Sequence, residues 1–326
     1  MPLTLLILGS LLSPQHPPAL RPSVSPAAFR AWFDAARSGR LAIPADVERG
    51  ASRYRYVFVA GFWNEQMPGY FAQNVRHLRA RGVPSRSIHV VSPSSHKNHE
   101  DNADSVRDAF HEIARGGPEK LVVIAHSRGS CDTLAFALRD PQFVHDRVEA
   151  LFLVQGPFGG TGVADYVAGE GPAADRQLPL GHRLIVRFLA RLETLRLRWG
   201  GHAGLPEMTR RTSRDFWDRL LQERAGAIPV VAPKTVFITS TARPPHLHPF
   251  RRAIAAYLST YFGPNDGVVA QDDQSLPGFG TVVSILDIGH SDLTARFPSA
   301  RPRRRLRNAL IDAVLMAVAE PKIPQL

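Results

Sequence analysis

The chain has little that could staple it covalently or hold it in a bilayer. A single cysteine, Cys131, stands among 326 residues, so no disulfide can form within the chain. That suits a reducing compartment without excluding an oxidising one. No stretch approaches the roughly 18–20 consecutive apolar residues that cross a membrane as a helix. Internal repeats are lacking, as are low-complexity blocks beyond a proline-rich start. Acidic side chains are in short supply: 29 Asp and Glu face 40 Lys and Arg, which leaves a formal charge of +11. Nearly all of the basic excess is arginine. Such a balance suits anionic surfaces in general. No motif that reads DNA or RNA accompanies it, so nucleic acid is not an expected partner.

What is present reads as a packed globular body. Hydrophobic residues make up 44% and charged residues 21%, which argues against disorder. The length allows one large domain over residues 23–326. Residues 1–22 form an apolar, proline-rich segment ahead of it. Its run from Leu3 to Leu12 lacks the basic n-region of a secretory signal, and no small-x-small cleavage site follows. A degenerate signal, an anchor and a tail are all open readings, with a cytoplasmic location favoured over export.

Short apolar runs rich in Val, Ile and Phe predict strands at residues 54–60, 87–91, 120–125, 149–154, 235–240 and 281–287. Their continuity predicts burial on both faces. Helical periodicity falls between them, at residues 27–36, 70–80, 103–115, 128–138, 183–198, 214–223, 249–258 and 305–319. This alternation predicts an α/β fold: three layers, with a mainly parallel central sheet wrapped by helices. The rhythm breaks once. Some eighty residues without a strand pattern separate the strands ending at Val154 and starting at Thr235, far beyond the usual connection of two to six. A helical cap inserted over one end of the sheet, at about residues 156–233, is the expectation.

The segment LVVIAHSRGSCDTLAF, residues 121–136, runs from strand to helix with Ser127 at the joint. A serine there points off the C-terminal edge of the sheet, where open α/β folds bind ligands. The bend forces it toward positive φ, and the residues two before and two after must be small. They are Ala125 and Gly129. The helix N-terminus behind it offers free N–H groups to a developing oxyanion. An ordinary serine N-cap is the bland alternative.

A serine needs a base, and the base needs an orienting carboxylate. On such a sheet both should follow later strands, acid first. GPNDGVV supplies Asp266 in a turn, and SILDIGHSDLT supplies His290 just past the last strand. Asp287 and Asp292 flank His290 and compete for the acid role. Each would have to fold back awkwardly, which favours Asp266. The second oxyanion donor should come from the loop after an early strand. YVFVAGFWNE offers Gly61 for close approach, followed by the N–H of Phe62 or Trp63.

Together these residues resemble an α/β-hydrolase, and more narrowly the bacterial triacylglycerol lipases and esterases. The likeness covers about residues 54–167 and 235–293. VFVAGF, LVVIAHSRGS, VQGPFGGTGVADYV, GPNDGVV and IGHSDL follow one another in the order of that family's motifs. The resemblance implies Ser127, Asp266 and His290 as a catalytic triad, with the Phe62 and Arg128 N–H groups as the oxyanion hole. Trp63, His126 and Phe158 are expected to contact substrate. Two departures stand out. Ala60 replaces the usual histidine before Gly61. Asp292 matches a calcium-binding position of some secreted lipases, but its partner aspartate is missing from TSTARPPHLHPF, so no calcium is expected.

The implied activity is hydrolysis of a carboxylic ester, small or lipid-like, with no cofactor and no metal. A non-catalytic binding protein on the same fold, resting on anionic membranes, is the alternative. GHRLIVRFLARLETLRLRWGG (181–201) would form a basic amphipathic helix, a packed cap helix or a lipid-facing lid. RPRRRLR (301–307) leads into the last helix and by default forms a solvated face. His96 and His99 in SSHKNHED suit a polar helix start better than a metal site.

Overall fold

Six strands assemble into one wholly parallel sheet: β1 (Tyr54–Val59), β2 (Ile88–Val91), β3 (Lys120–His126), β4 (Val148–Val154), β5 (Thr235–Thr241) and β6 (Thr281–Leu286). Each lies within a residue or two of its expected place. The computed structural model describes residues 24–172, 204–294 and 303–319. The N-terminal segment and the expected helix at 183–198 lie outside those residues.

The strand order is β2-β1-β3-β4-β5-β6. From β1 the chain steps outward to β2, then crosses back to place β3 on the other side of β1. The order therefore reverses between β1 and β3, and a crevice opens above their C-terminal ends. Gly61 follows β1 and Ser127 follows β3, so topology alone brings the two loops together.

Side chains alternate along the strands and split the core in two. Val57, Val123, Leu151, Leu153 and Phe237 face one layer of helices, and Tyr56, Phe58, Ile124, Phe152 and Ile238 face the other. The first layer holds α4 (His99–Arg115), α5 (Arg128–Arg139), α6 (Pro141–Arg147) and α8 (Arg210–Glu223). The second holds α1 (Pro26–Arg37), α2 (Ala45–Ala51), α3 (Ala72–Ala80) and α10 (Arg304–Ala319). Helix α4 shows the local logic. Asn98 caps it by accepting from the Asp101 N–H at 2.7 Å, and Glu100 and Asp101 favour its positive end. Ala103, Val106, Phe110 and Ala114 then bury one stripe. Burial on both faces holds for the central strands. Edge strand β6 departs from it: Val283 and Ile285 point into the core while Val282 and Leu286 remain 41% and 62% exposed.

Three seven-residue helices had no sequence expectation: α2, α6 and α7 (Gly162–Ala168). Two turns are too few for a period to show. The long insertion also divides. Thr161, Val163, Tyr166, Val167, Leu205 and Met208 line the cavity beside Ser127, but α8 buries Phe216, Trp217 and Leu220 in the core beneath the sheet. Helix α8 is the crossover that any parallel β4–β5 connection requires. Helix α8, inside the expected cap bounds of about 156–233, therefore packs with the body of the domain.

The basic run entering α10 is not a uniform solvated face. Arg304 and Arg305 are exposed, whereas Arg307 is buried and Arg303 turns inward to Asp292 at 3.2 Å. No helix among the described residues is long and apolar enough to cross a membrane.

Candidate active site

The bend at Ser127 has the conformation that its neighbours anticipate. Its φ is 53° and ψ −134°, outside the usual regions for an L-residue. The Ser127 N–H is held by the Val154 carbonyl at 2.8 Å, and its carbonyl accepts from the Ser130 N–H at 2.9 Å. Gly129 is needed because a Cβ there would run into the backbone carbonyls of Val59 and Ala60. Gly61 is needed because a Cβ would lie 2.7 Å from the Ser127 Cβ.

The three residues expected to act together are adjacent. His290 Nε2 lies 2.9 Å from Ser127 Oγ, and His290 Nδ1 lies 2.8 Å from Asp266 Oδ2. Asp266 is fully buried, and its other oxygen accepts the Val268 and Val269 N–H groups at 2.9 and 2.8 Å. The Asp266 carbonyl also accepts from the His290 N–H at 2.9 Å, which ties the two loops by backbone as well. A carboxylate fixed this way orients the imidazole, and its charge stabilises an imidazolium. The competing acids are committed elsewhere. Asp287 pairs with Arg243 at 2.7 Å and with His246, and those bonds hold its pKa down at about 2 against burial, which pushes the other way. Asp292 accepts the Gly289 N–H at 2.8 Å and pairs with Arg303.

Of the two oxyanion candidates in the β1 loop, Trp63 gives its N–H to Ser95 Oγ at 2.8 Å. Phe62, the other candidate, lies between Gly61 and Trp63 and lines the cavity together with Ser127. The loop bends through Trp63 at φ 62° and is strapped from below. Asn64 Nδ2 donates to the Gly61 and Pro93 carbonyls at 3.0 and 2.7 Å, and Glu65 accepts from Ser95 N–H and Oγ–H at 2.7 and 2.6 Å. Burial pushes the Glu65 carboxyl up, but the two Ser95 bonds, its own backbone N–H and the nearby His96 together leave its pKa lowered. The Arg128 side chain braces the same strap: it is buried and donates to the carbonyls of Ser94, Ser95 and Lys97. Its backbone N–H, in the first turn of α5, has no intrahelical acceptor.

His126 and Trp63 line the cavity beside Ser127. His126 does so as a fixed brace. Its Nε2 lies 2.6 Å from the His290 carbonyl and 3.3 Å from Gln155 Oε1, both pure acceptors, so Nε2 carries the proton. Nδ1 then accepts from the Tyr70 hydroxyl. Burial, and next the nearby His290, push the His126 pKa well below its ordinary value and keep the ring neutral. Phe158 is not brought to the cavity. It packs with no exposure between Trp217 and Phe237, at centroid distances of 5.3 and 4.9 Å, because its chain turns under the sheet after Gly156.

The cavity encloses about 250 Å³. Phe62, Met67, Val163, Val167, Leu205, Met208, Ile254 and Val268 give it an apolar wall; Ser127, His290, Tyr70, Arg251 and Ser291 supply polar points. Sequence reasoning missed Tyr70, Gln155, Ser95, Glu65 and Arg251. The one local signal was the VQGP turn, where Gln155 takes φ 52°. The others lie on segments whose approach only the tertiary fold determines. Among the described residues no group of three or more His, Cys, Asp or Glu could hold a metal. His99 instead bonds Asp132 at 2.6 Å, and the Arg303 guanidinium already pairs with Asp292.

This arrangement can deprotonate a hydroxyl, attack an electrophilic carbonyl and stabilise the resulting oxyanion. No protein-family model matches the chain, and no curated protein matches it. Solved structures do. One is a lipase of Bacillus licheniformis in its mature form, 16% identical over 73% of this chain and 85% of that one, with a TM-score of 0.53. Another is a carboxyl esterase of metagenomic origin, 17% identical over 82% and 74% of the two chains, with a TM-score of 0.55. The likeness is one of fold: with its parallel six-stranded sheet flanked by helices, the chain has the α/β-hydrolase fold.

Proposed function

We propose that this α/β-hydrolase-fold chain is a serine hydrolase that cleaves carboxylic esters of acyl or lipid-like character. The relay from Asp266 through His290 to Ser127, opening into an apolar cavity, carries the reading. His290 Nε2 takes the proton as Ser127 Oγ attacks the ester carbonyl. The Phe62 and Arg128 N–H groups hold the tetrahedral oxyanion. The C–O bond to the leaving group breaks as His290 returns that proton to the departing alkoxide. Water, deprotonated by His290, then attacks the acyl-enzyme and releases the acid.

An apolar space of about 250 Å³ is on the small side for ligand pockets, which run to roughly 300–1,000 Å³. It suits a short to medium acyl chain. No cofactor takes part in these steps. The test is covalent labelling of the intact protein by a fluorophosphonate, with p-nitrophenyl acyl esters assayed alongside. Labelling and turnover that vanish in Ser127→Ala are the expected result. Equal labelling of both proteins overturns the proposal. Acyl esters turned over without net acid release would mark a transferase in place of a hydrolase.

A further inference from the structure

The apolar lining of the cavity draws on several segments. Ile254 comes from α9 (Pro249–Tyr261), Val163 and Val167 from α7, and Leu205 and Met208 from the short stretch before α8. Leu205 and Met208 belong to neither of the two cores that sandwich the sheet. They are buried with Ala164 in a small cluster of their own, against which Phe62 and Val167 pack. Packing on the sheet therefore does not fix where they stand.

Glu207 lies between them and is the one charged residue of 204–209. Its Oε2 accepts the N–H of His99, the first residue of α4, at 2.6 Å and lies 3.7 Å from the Arg128 guanidinium. A carboxylate at a helix N-terminus gains from the dipole and from a charge-assisted hydrogen bond. Its anchorage is itself well tied. His99 Nδ1 bonds Asp132 at 2.6 Å, and Asn102 donates to the other Asp132 oxygen at 3.0 Å, with all three residues buried. Arg128 follows Ser127, and its guanidinium carbon sits 5.9 Å from the centre of the Phe62 ring. Gly204 fits closely against the same ground, because a Cβ there would run into the Arg128 guanidinium and the Ser95 carbonyl. The backbone has ties of another kind: the Met208 carbonyl accepts from the Thr161 N–H at 2.8 Å, and the Glu207 carbonyl from Ser213 Oγ at 2.9 Å. Those lead to α7 and α8, whereas the Glu207 side chain leads to the nucleophile's own helix. Burial and the charge of Asp132 raise the Glu207 pKa, and His99 and Arg128 oppose them.

We infer that Glu207 is a positioning residue: docked on His99 and Arg128, it fixes Leu205 and Met208 at the distance from Ser127 that sets which acyl chain the cavity accepts. This rests on the proposed hydrolase reading and names what determines its acyl preference.

The experiment measures kcat and KM for p-nitrophenyl butyrate and octanoate with the intact protein and with Glu207→Ala, Glu207→Gln and Glu207→Asp. Without the dock, Leu205 and Met208 hold a short chain less closely and obstruct a long one less. Glu207→Ala should therefore raise the octanoate-to-butyrate ratio of kcat/KM by about tenfold, through KM more than kcat. Glu207→Gln keeps an acceptor for the His99 N–H and should recover most of the wild-type ratio. Glu207→Asp keeps the charge but falls one methylene short. It should shift the ratio the same way as alanine, and it serves as the test where the alanine variant does not fold. An unchanged or lowered ratio in a folded alanine or aspartate variant overturns the positioning role. An equal loss of kcat on both esters overturns it too, since that marks a merely structural part. A wild-type protein that turns over neither ester instead sinks the hydrolase reading itself.

Discussion

Two walls of one cavity are built on opposite principles. The wall that carries Ser127, His290, His126 and Tyr70 is a mesh of directional bonds. Asp266 fixes His290, the His290 carbonyl fixes His126, and His126 takes the Tyr70 hydroxyl. The side chains of Val163, Val167, Leu205, Met208 and Ile254 make an apolar lining that would meet a substrate by packing, without hydrogen bonds of their own. Hydrogen bonds fail over fractions of an ångström, whereas apolar contacts are non-directional and tolerate swaps that conserve volume. Damage to the first wall should therefore appear in kcat, and damage to the second in which substrate is preferred.

The sharpest way to break that contrast is at the relay. Ser127→Ala and His290→Ala should each reduce kcat by about 10⁴-fold or more, and the double variant should be little worse than either, because the pair acts as a unit. Turnover of a neutral acyl ester measures it; a residual rate within tenfold of wild type would dissolve the distinction between the walls. Next in size is Gly129→Ala. Its Cβ would press on the carbonyls of Val59 and Ala60, which are backbone and cannot swing away. A loss of about 1–3 kcal/mol or more is expected from overpacking of this kind, read from the midpoint of urea unfolding.

The same division explains what the amino-acid order discloses. Both the six strands and the elbow are legible because each is local: a short β-branched run, or a serine flanked by small residues at a strand–helix joint. His290 and Asp266 are legible because chain order after later strands is nearly as local a rule. Phe158 is misjudged from the same motif segment, since nothing in VQGPFGG tells whether the ring turns up to the cavity or down against Trp217. Tyr70, Ser95 and Glu65 are invisible for a related reason. Each acts on a partner of another segment, Tyr70 on His126 and Ser95 on Trp63, and no periodicity encodes such a meeting.

Two smaller effects sharpen the comparison. Ser95→Ala removes the acceptor of the Trp63 N–H and one of the two donors to Glu65, so the loop after β1, the proposed oxyanion loop, loses part of its strap. A fall of about tenfold in kcat with KM within about twofold is expected, below the 10²–10³ of deleting an oxyanion donor outright. A change confined to KM would mean that the strap serves binding instead. On the opposite wall, Met208→Trp fills cavity volume without touching the relay. Octanoate turnover should drop about tenfold relative to butyrate, with butyrate kcat less affected.

The smallest effect tests whether the mesh is held neutral at His126. The His126 pKa is depressed in the folded protein, so the unfolded chain binds that proton more readily. Its contribution is complete above the unfolded value of about 6.5 and is lost as pH falls below it, at no more than about 1.4 kcal/mol per pH unit. His89, depressed by burial and by Arg55, adds a loss of the same sign. Asp292 and Glu207, raised chiefly by burial, act with the opposite sign in a window that opens above their unfolded values near 4: there, stability falls as pH rises. The readout is therefore a difference. Urea unfolding at pH 7.5 and 5.5 should show wild type losing about 1 kcal/mol more than His126→Asn. Equal losses would mean that His126 accepts a proton without strain, which its burial and the nearby His290 oppose. Nε2 already donates to the His290 carbonyl, and a proton on Nδ1 would face the Tyr70 hydroxyl it now accepts from.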